Sequence, residues 1–201
     1  MSILIAVCGE SFAILAADSR RTLHNLETEE KNIDDNYRKV YQLNDNLIFG
    51  GGGQFYYSEP ITAPFIGKNL HSLSLEEADK LIQGYMSAVF KRLAPIGNRS
   101  YVLCGRNNNN EMCLFQYNFI LMTKEKDIQK YNASQNDGDY FCVALPPKLS
   151  DKEAEYLARL ERILCNAETS TEVFHELTNI IYDAGTIDES VGGIPEVVAL
   201  Y

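Results

Sequence analysis

At 201 residues, 45% apolar and 23% charged, the chain has the make-up of one globular domain spanning residues 1–201, with material for a substantial core. Its 28 acidic against 18 basic side chains give a net charge of −10, and no Lys/Arg cluster breaks that balance, which argues against a nucleic-acid partner. No run nears the ~20 apolar residues of a membrane span, so no membrane partner is expected, and the apolar start lacks a basic lead and closes on Asp18, which makes it a strand and not a secretory signal.

Residues 2–8 (SILIAVC) form a continuous apolar run, the pattern of a strand buried on both faces. Gly9-Glu10-Ser11 makes a turn, and residues 12–17 (FAILAA) form a second buried strand. A hairpin of this kind brings Ser2 and Asp18 to one end. Residues 23–37 are polar, without periodicity, and predict a surface loop. Residues 39–43 alternate as a strand does. After the turn Asn44-Asp45-Asn46, Leu47-Ile48-Phe49 runs into four glycines, Gly50 to Gly53. Glycines directly after a strand let a ligand or another backbone come close.

Residues 54–70 predict a helix interrupted by Pro60 and Pro64. A stronger one follows: Ser74 and Glu77 form a capping box, Leu75, Ala78, Ile82, Met86 and Val89 recur at helical spacing, and Pro95 and Gly97 mark its stop. Residues 100–104 and 112–123 predict strands about a turn of four asparagines, with a loose polar stretch over 124–138. Residues 140–145 predict another strand, closed by Pro146-Pro147. A helix then starts at Ser150 with Glu153 as capping box, and another near Thr169 with Glu172. A final strand covers 197–201. Strands in runs between paired helices point to an α+β fold: a four-layer αββα sandwich of two antiparallel sheets flanked by helix pairs.

The five cysteines, Cys8, Cys104, Cys113, Cys142 and Cys165, are odd in number, lack C-x-x-C spacing and sit in apolar runs. They are expected to be reduced, buried thiols in a cytoplasmic protein. No metal is expected on this spacing. The histidines His24, His71 and His175 are scattered without partners at ligand spacing.

A hydroxyl and a free α-amine on one residue can serve as nucleophile and base together, and removal of Met1 would give Ser2 that pair. Asp18, Arg20, Lys39, the glycine run and Asp188 are further candidates. Taken singly each has a bland alternative: an exposed ion pair for Asp18 and Arg20, a surface lysine, a plain turn. The glycines are no phosphate loop, since no G-K-[ST] follows them.

Together, the arrangement resembles the proteasome β subunits of the N-terminal-nucleophile hydrolase superfamily, which also includes bacterial proteasome-like peptidases. Ala17-Asp18-Ser19-Arg20 matches the family's hairpin end and sets Ser2 at the nucleophile position. Lys39, before Val40-Tyr41, matches the catalytic lysine. Gly53 matches the oxyanion-hole glycine, and Asp188 stands ahead of Gly192-Gly193 as the family's acidic residue does. The resemblance implies that Asp18 orients Lys39, Arg20 holds the hairpin end, the Gly53 N–H meets the oxyanion, and Asp188 with Ser190 holds the α-amine. The chain departs from the family in three ways. The nucleophile is serine and not threonine, the Gly-Ser-Gly segment is replaced by the strand over 140–145, and Val191 takes the usual serine position with Ser190 one place earlier.

The expected function is therefore that of a proteasome-like peptidase, threonine-type in mechanism but with a serine nucleophile, working through an acyl-enzyme on Ser2. Two alternatives are an inactive proteasome-like structural or binding subunit and a small-molecule amidase of the same superfamily. No cofactor is implied. The expected partners are a peptide or protein substrate and further copies of the chain in a ring or stack; no motif speaks to an ATPase partner.

Overall fold

The computed structural model describes residues 2–24, 31–53, 60–91, 98–120, 122–135 and 139–201. The two opening apolar runs become β1 (Leu4–Cys8) and β2 (Ala13–Ala17), with every residue buried. Next come β3 (Arg21–His24), β4 (Lys31–Asp34), β5 (Val40–Asn44) and β6 (Leu47–Gly53). Helix α1 (Leu75–Val89) leads to β7 (Asn98–Arg106), β8 (Met112–Ile120), β9 (Glu125–Asn132) and β10 (Tyr140–Ala144). Helices α2 (Glu153–Asn166) and α3 (Ser170–Ile187) precede β11 (Glu196–Leu200).

The strands pair antiparallel into a four-stranded sheet, β10-β1-β2-β11, and a five-stranded sheet, β5-β6-β7-β8-β9, with β3 and β4 as a separate hairpin. Both faces of β1 and β2 are covered, which explains their unbroken apolar sequence. One face, with Leu4, Ala6, Leu15 and Ala17, packs on Val40, Ile48, Val102 and Leu114 of the larger sheet. The other face, with Ile3, Ile5, Val7 and Ile14, packs on Leu160, Leu177, Ile180 and Ile181 of α2 and α3. Beyond the larger sheet, Phe49, Tyr101 and Tyr117 meet Leu75, Ile82 and Met86 of α1. The layers are thus α1, sheet, sheet, α2 with α3: an α+β fold of the expected αββα kind.

The capping box of α1 forms as expected, Ser74 Oγ accepting from the Glu77 N–H and Glu77 Oε2 from the Ser74 N–H. Thr169 Oγ1 caps α3 by accepting from the Glu172 N–H at 3.4 Å, while the Glu172 carboxylate accepts from the Glu168 N–H. Five expectations are corrected. The helix over 54–70 is not seen: residues 54–59 lie outside the described residues, and beyond them are two single 3₁₀ turns, Ala63–Phe65 and Leu70–Ser72. One outer layer therefore holds a single α-helix among the described residues. The stop signals Pro95 and Gly97 also lie outside them. The loop over 23–37 contains the β3–β4 hairpin, with 25–30 outside the described residues. The stretch over 124–138 contains β9, with 136–138 outside. Ser150 does not cap α2; it lies in a 3₁₀ turn, Pro147–Lys152, with its hydroxyl donating to Pro147 O. Cys165, expected to be buried, is exposed, while the other four thiols are buried.

Candidate active site

The antiparallel register of β1 and β2 pairs Leu4 with Ala17, which sets Ile3 beside Asp18. The Ile3 N–H donates to Asp18 Oδ1 at 3.0 Å. Half-buried Ser2 therefore leaves the sheet directly over the Asp18 carboxylate. The glycine end of β6 meets it from the facing sheet. A Cβ on Gly52 would lie 3.1 Å from Ser2 Cβ and 3.7 Å from its Oγ, so the missing side chain is what lets the two strands approach.

Lys39, immediately before β5, is 2% exposed. Its Nζ donates to Asp18 Oδ2 at 2.8 Å and to Arg20 O at 2.5 Å. Asp18 is fully buried and, among the described residues, gathers four donors: Lys39 Nζ and the N–H groups of Ile3, Arg20 and Gly192. Burial disfavours the charged form of both partners. It pushes the Asp18 carboxyl above the ordinary value, against the pull of Lys39 and the backbone donors. It likewise pushes Lys39 below the usual lysine range, against the attraction of Asp18 and Glu196.

Arg20 binds Asp35 with two parallel hydrogen bonds, 2.6 Å from Nε and 2.8 Å from Nη2, and reaches Glu189 O at 3.0 Å through Nη1. It thereby ties the base of the β3–β4 hairpin to the 188–193 loop. Gly192 fits because a Cβ there would fall 2.6 Å from Arg20 Cζ, and Gly193 has φ +75°. The same loop reaches the buried pair through the Gly192 N–H, 3.3 Å from Asp18 Oδ2, and accepts from the Ser19 N–H at 3.0 Å.

Asp188, 3% exposed, follows α3 on this loop. Burial alone would raise its pKa, but the Ser190 N–H at 2.9 Å, the Ser190 hydroxyl and the charge of Lys148 hold it below the ordinary carboxylate value. Among the described residues, neither Asp188 nor Ser190 hydrogen-bonds Ser2. Gly53 ends β6 with φ +110°, and a Cβ there would lie 2.1 Å from Asn98 O. Gly51 donates to Lys39 O at 3.0 Å. Alternation along the strand turns the Gly53 N–H to the same edge, past the first residue of β5.

Of the residues expected from sequence, Ser2, Asp18, Arg20 and Lys39 meet at one end of the two sheets. Gly53 lies one residue beyond the Ser2 contact, and Asp188 and Ser190 sit on the adjoining loop. Met1, whose removal the expected chemistry requires, lies outside the described residues. Val191, at the expected serine position, is 1% exposed and packs in the core beneath the smaller sheet. Three residues were missed: Gly52 under Ser2, Asp35 on Arg20, and Glu196, which accepts from the Lys39 N–H at 3.2 Å. Gly52 at least stood within a conspicuous glycine run. Among the described residues no group of three or more His, Cys, Asp or Glu side chains is placed to hold a metal, and no helix is long and apolar enough to cross a membrane.

No protein-family model matches the chain, and no curated protein does. Solved structures do. The chain is similar to Anbu (ancestral beta-subunit) from Yersinia bercovieri at TM-score 0.65 and 16% identity, covering 98% of this chain and 81% of that one. It is similar to Anbu from Hyphomicrobium sp. strain MC1 at TM-score 0.58 and 14% identity, covering 98% and 81%. A third likeness is to the Anbu complex of Pseudomonas aeruginosa, described as a helical assembly, at TM-score 0.55 and 11% identity, covering 99% and 81%. At such identities the likeness speaks for the fold, which is proteasome-like.

Proposed function

We propose that the chain is a proteasome-like peptidase subunit that hydrolyses amide bonds with Ser2 as nucleophile. The observation that carries this reading is the buried Lys39–Asp18 pair, 2.8 Å long, at the strand end from which Ser2 emerges. Removal of Met1 frees the α-amine of Ser2, with an unperturbed pKa near ~8. Ser2 Oγ attacks the substrate carbonyl, forming a C–O bond. Its proton passes to the α-amine and from there to the departing amine nitrogen as the C–N bond breaks. Lys39, held on Asp18 at the strand end that Ser2 leaves, serves as the cation that favours the developing alkoxide. The Gly53 N–H stabilises the oxyanion, an effect worth roughly 3–4 kcal/mol in other hydrolases. Asp188 and Ser190, which among the described residues make no hydrogen bond to Ser2, are the groups of the adjoining loop assigned to hold the α-amine once Met1 is gone. Water then cleaves the acyl-enzyme. The family resemblance, and the helical assembly described for the Pseudomonas neighbour, support a homo-oligomer. The free thiols fit a cytoplasmic setting.

The test is acylation. The chain is produced with Ser2 first, treated with a β-lactone or activated ester, and mapped by mass spectrometry alongside turnover of fluorogenic peptides. The expected result is one acyl group on Ser2 and loss of labelling and turnover in Ser2→Ala. Equal turnover in that variant would remove Ser2 from the mechanism. A second reading, an inactive subunit of the same fold, is favoured by the apolar Val191 at the expected serine position; absence of any acyl adduct would select it.

A further inference from the structure

Lys39 has a second carboxylate beside it. Glu196 opens β11, and the β11–β2 register pairs it with Ala17, one residue before Asp18. It thus belongs to the four-stranded sheet, yet its Oε2 accepts from the N–H of Lys39, which precedes the five-stranded sheet, at 3.2 Å. The Lys39 C=O is taken from the other side by the Gly51 N–H at 3.0 Å. The backbone of residue 39 is therefore pinned between two sheets, with a side chain of β11 as one of the pins. The charged groups around Lys39 are Asp18 at the end of β2, Arg20 next to it, Asp35 behind Arg20, and Glu196 on β11. Asp18 hydrogen-bonds the ammonium directly and Asp35 is engaged by Arg20. Glu196 is the carboxylate that grips the lysine by its backbone.

Resting on the role given above to Lys39, we propose that Glu196 is its positioning residue: the carboxylate fixes the backbone of residue 39 and adds a second negative charge beside its side chain. The two contributions are separable. Glu196→Gln keeps an oxygen able to accept from the Lys39 N–H and removes only the charge. Glu196→Ala removes both. Glu196→Asp restores the charge on a shorter arm.

The experiment is an NMR titration of lysine Cε resonances in the full chain, with Lys39 assigned by its loss in Lys39→Arg, beside thermal melts of each variant. Glu196→Gln is expected to lower the Lys39 midpoint while moving Tm by no more than about 1–2 °C. Glu196→Ala is expected to lower the midpoint and also drop Tm by roughly 2–4 °C, the scale of one lost hydrogen bond in a chain of this size. Glu196→Asp should bring the midpoint back toward wild type. A Lys39 midpoint identical in wild type, Gln and Ala would overturn the proposal, as would equal midpoints for Gln and Asp. The titration does not depend on Ser2. A shifted Lys39 in a chain that takes no acyl group supports Glu196 and defeats the peptidase reading; an unmoved Lys39 in a chain acylated on Ser2 does the reverse.

Discussion

Asp18→Asn probes the centre of the site with one atom changed. Among the described residues, Asp18 Oδ1 accepts only the Ile3 N–H, while Oδ2 accepts Lys39 Nζ at 2.8 Å, Arg20 N at 3.2 Å and Gly192 N at 3.3 Å. An amide keeping its oxygen at Oδ1 sets an NH₂ against three donors. Flipped, it faces one donor, the Ile3 N–H, and satisfies the other three. The flipped form is the cheaper, and in it Lys39 is left buried without a counter-ion at hydrogen-bond distance of its ammonium. Breaking a buried pair from one side costs about 3–5 kcal/mol. In a chain of this size that lowers Tm by roughly 6–20 °C. The assay is calorimetry of wild type, Asp18→Asn and the double variant Asp18→Asn/Lys39→Met. The double variant removes the stranded cation and should recover most of the loss. A drop under about 3 °C in Asp18→Asn, less than ~1 kcal/mol, would refute the reasoning.

Gly52→Ala places a methyl 3.1 Å from Ser2 Cβ, which must give way by a few tenths of an ångström; acylation of Ser2 is expected to fall about tenfold with Tm nearly unchanged, as measured by adduct formation over time. The two members of the buried pair give opposite pH slopes in urea midpoints. Lys39, held below the usual lysine value, is deprotonated in the fold where the unfolded chain still binds a proton, so its contribution grows as pH rises through that window toward ~10.4. Asp18, held above the usual value, binds a proton in the fold that the unfolded chain has shed, so its contribution is lost as pH rises from ~3.9 through the folded pKa. Lys39→Met should abolish the first slope and, by removing a charge that pulls Asp18 down, extend the second to higher pH. Of the five free thiols, exposed Cys165 should react with an aromatic disulfide at once. Burial raises Cys8 and Cys142 to about 12 and Cys113 to about 11, and these with Cys104 should react only after unfolding.

The buried strands and the capped helices were legible because burial on both faces and helical spacing leave direct marks on the sequence. β9 was not, for its EKDIQKYN lies along a solvent-facing edge where no apolar alternation is demanded. The β3–β4 hairpin failed for the same reason, Asn32, Ile33 and Asp34 all being exposed. Within the site, Asp18 and Lys39 could be named from motif resemblance. Their joint burial, which sets their pKa values, could not. Glu196 and Asp35 carry no local signal at all, since each matters only through a partner brought to it by the pairing of distant strands.

β9 closes the free side of the five-stranded sheet with Glu125, Lys126, Asp127 and Lys130. A strand from another molecule laid along that border would have to match this alternation of sign residue by residue. Such a border resists edge-to-edge fibre growth without any proline or bulge. The opposite border of that sheet is β5, and there the neighbouring β11 already reaches across to Lys39. One border of the sheet is thus fenced by alternating charge, and the other is met at Lys39 by a side chain of β11.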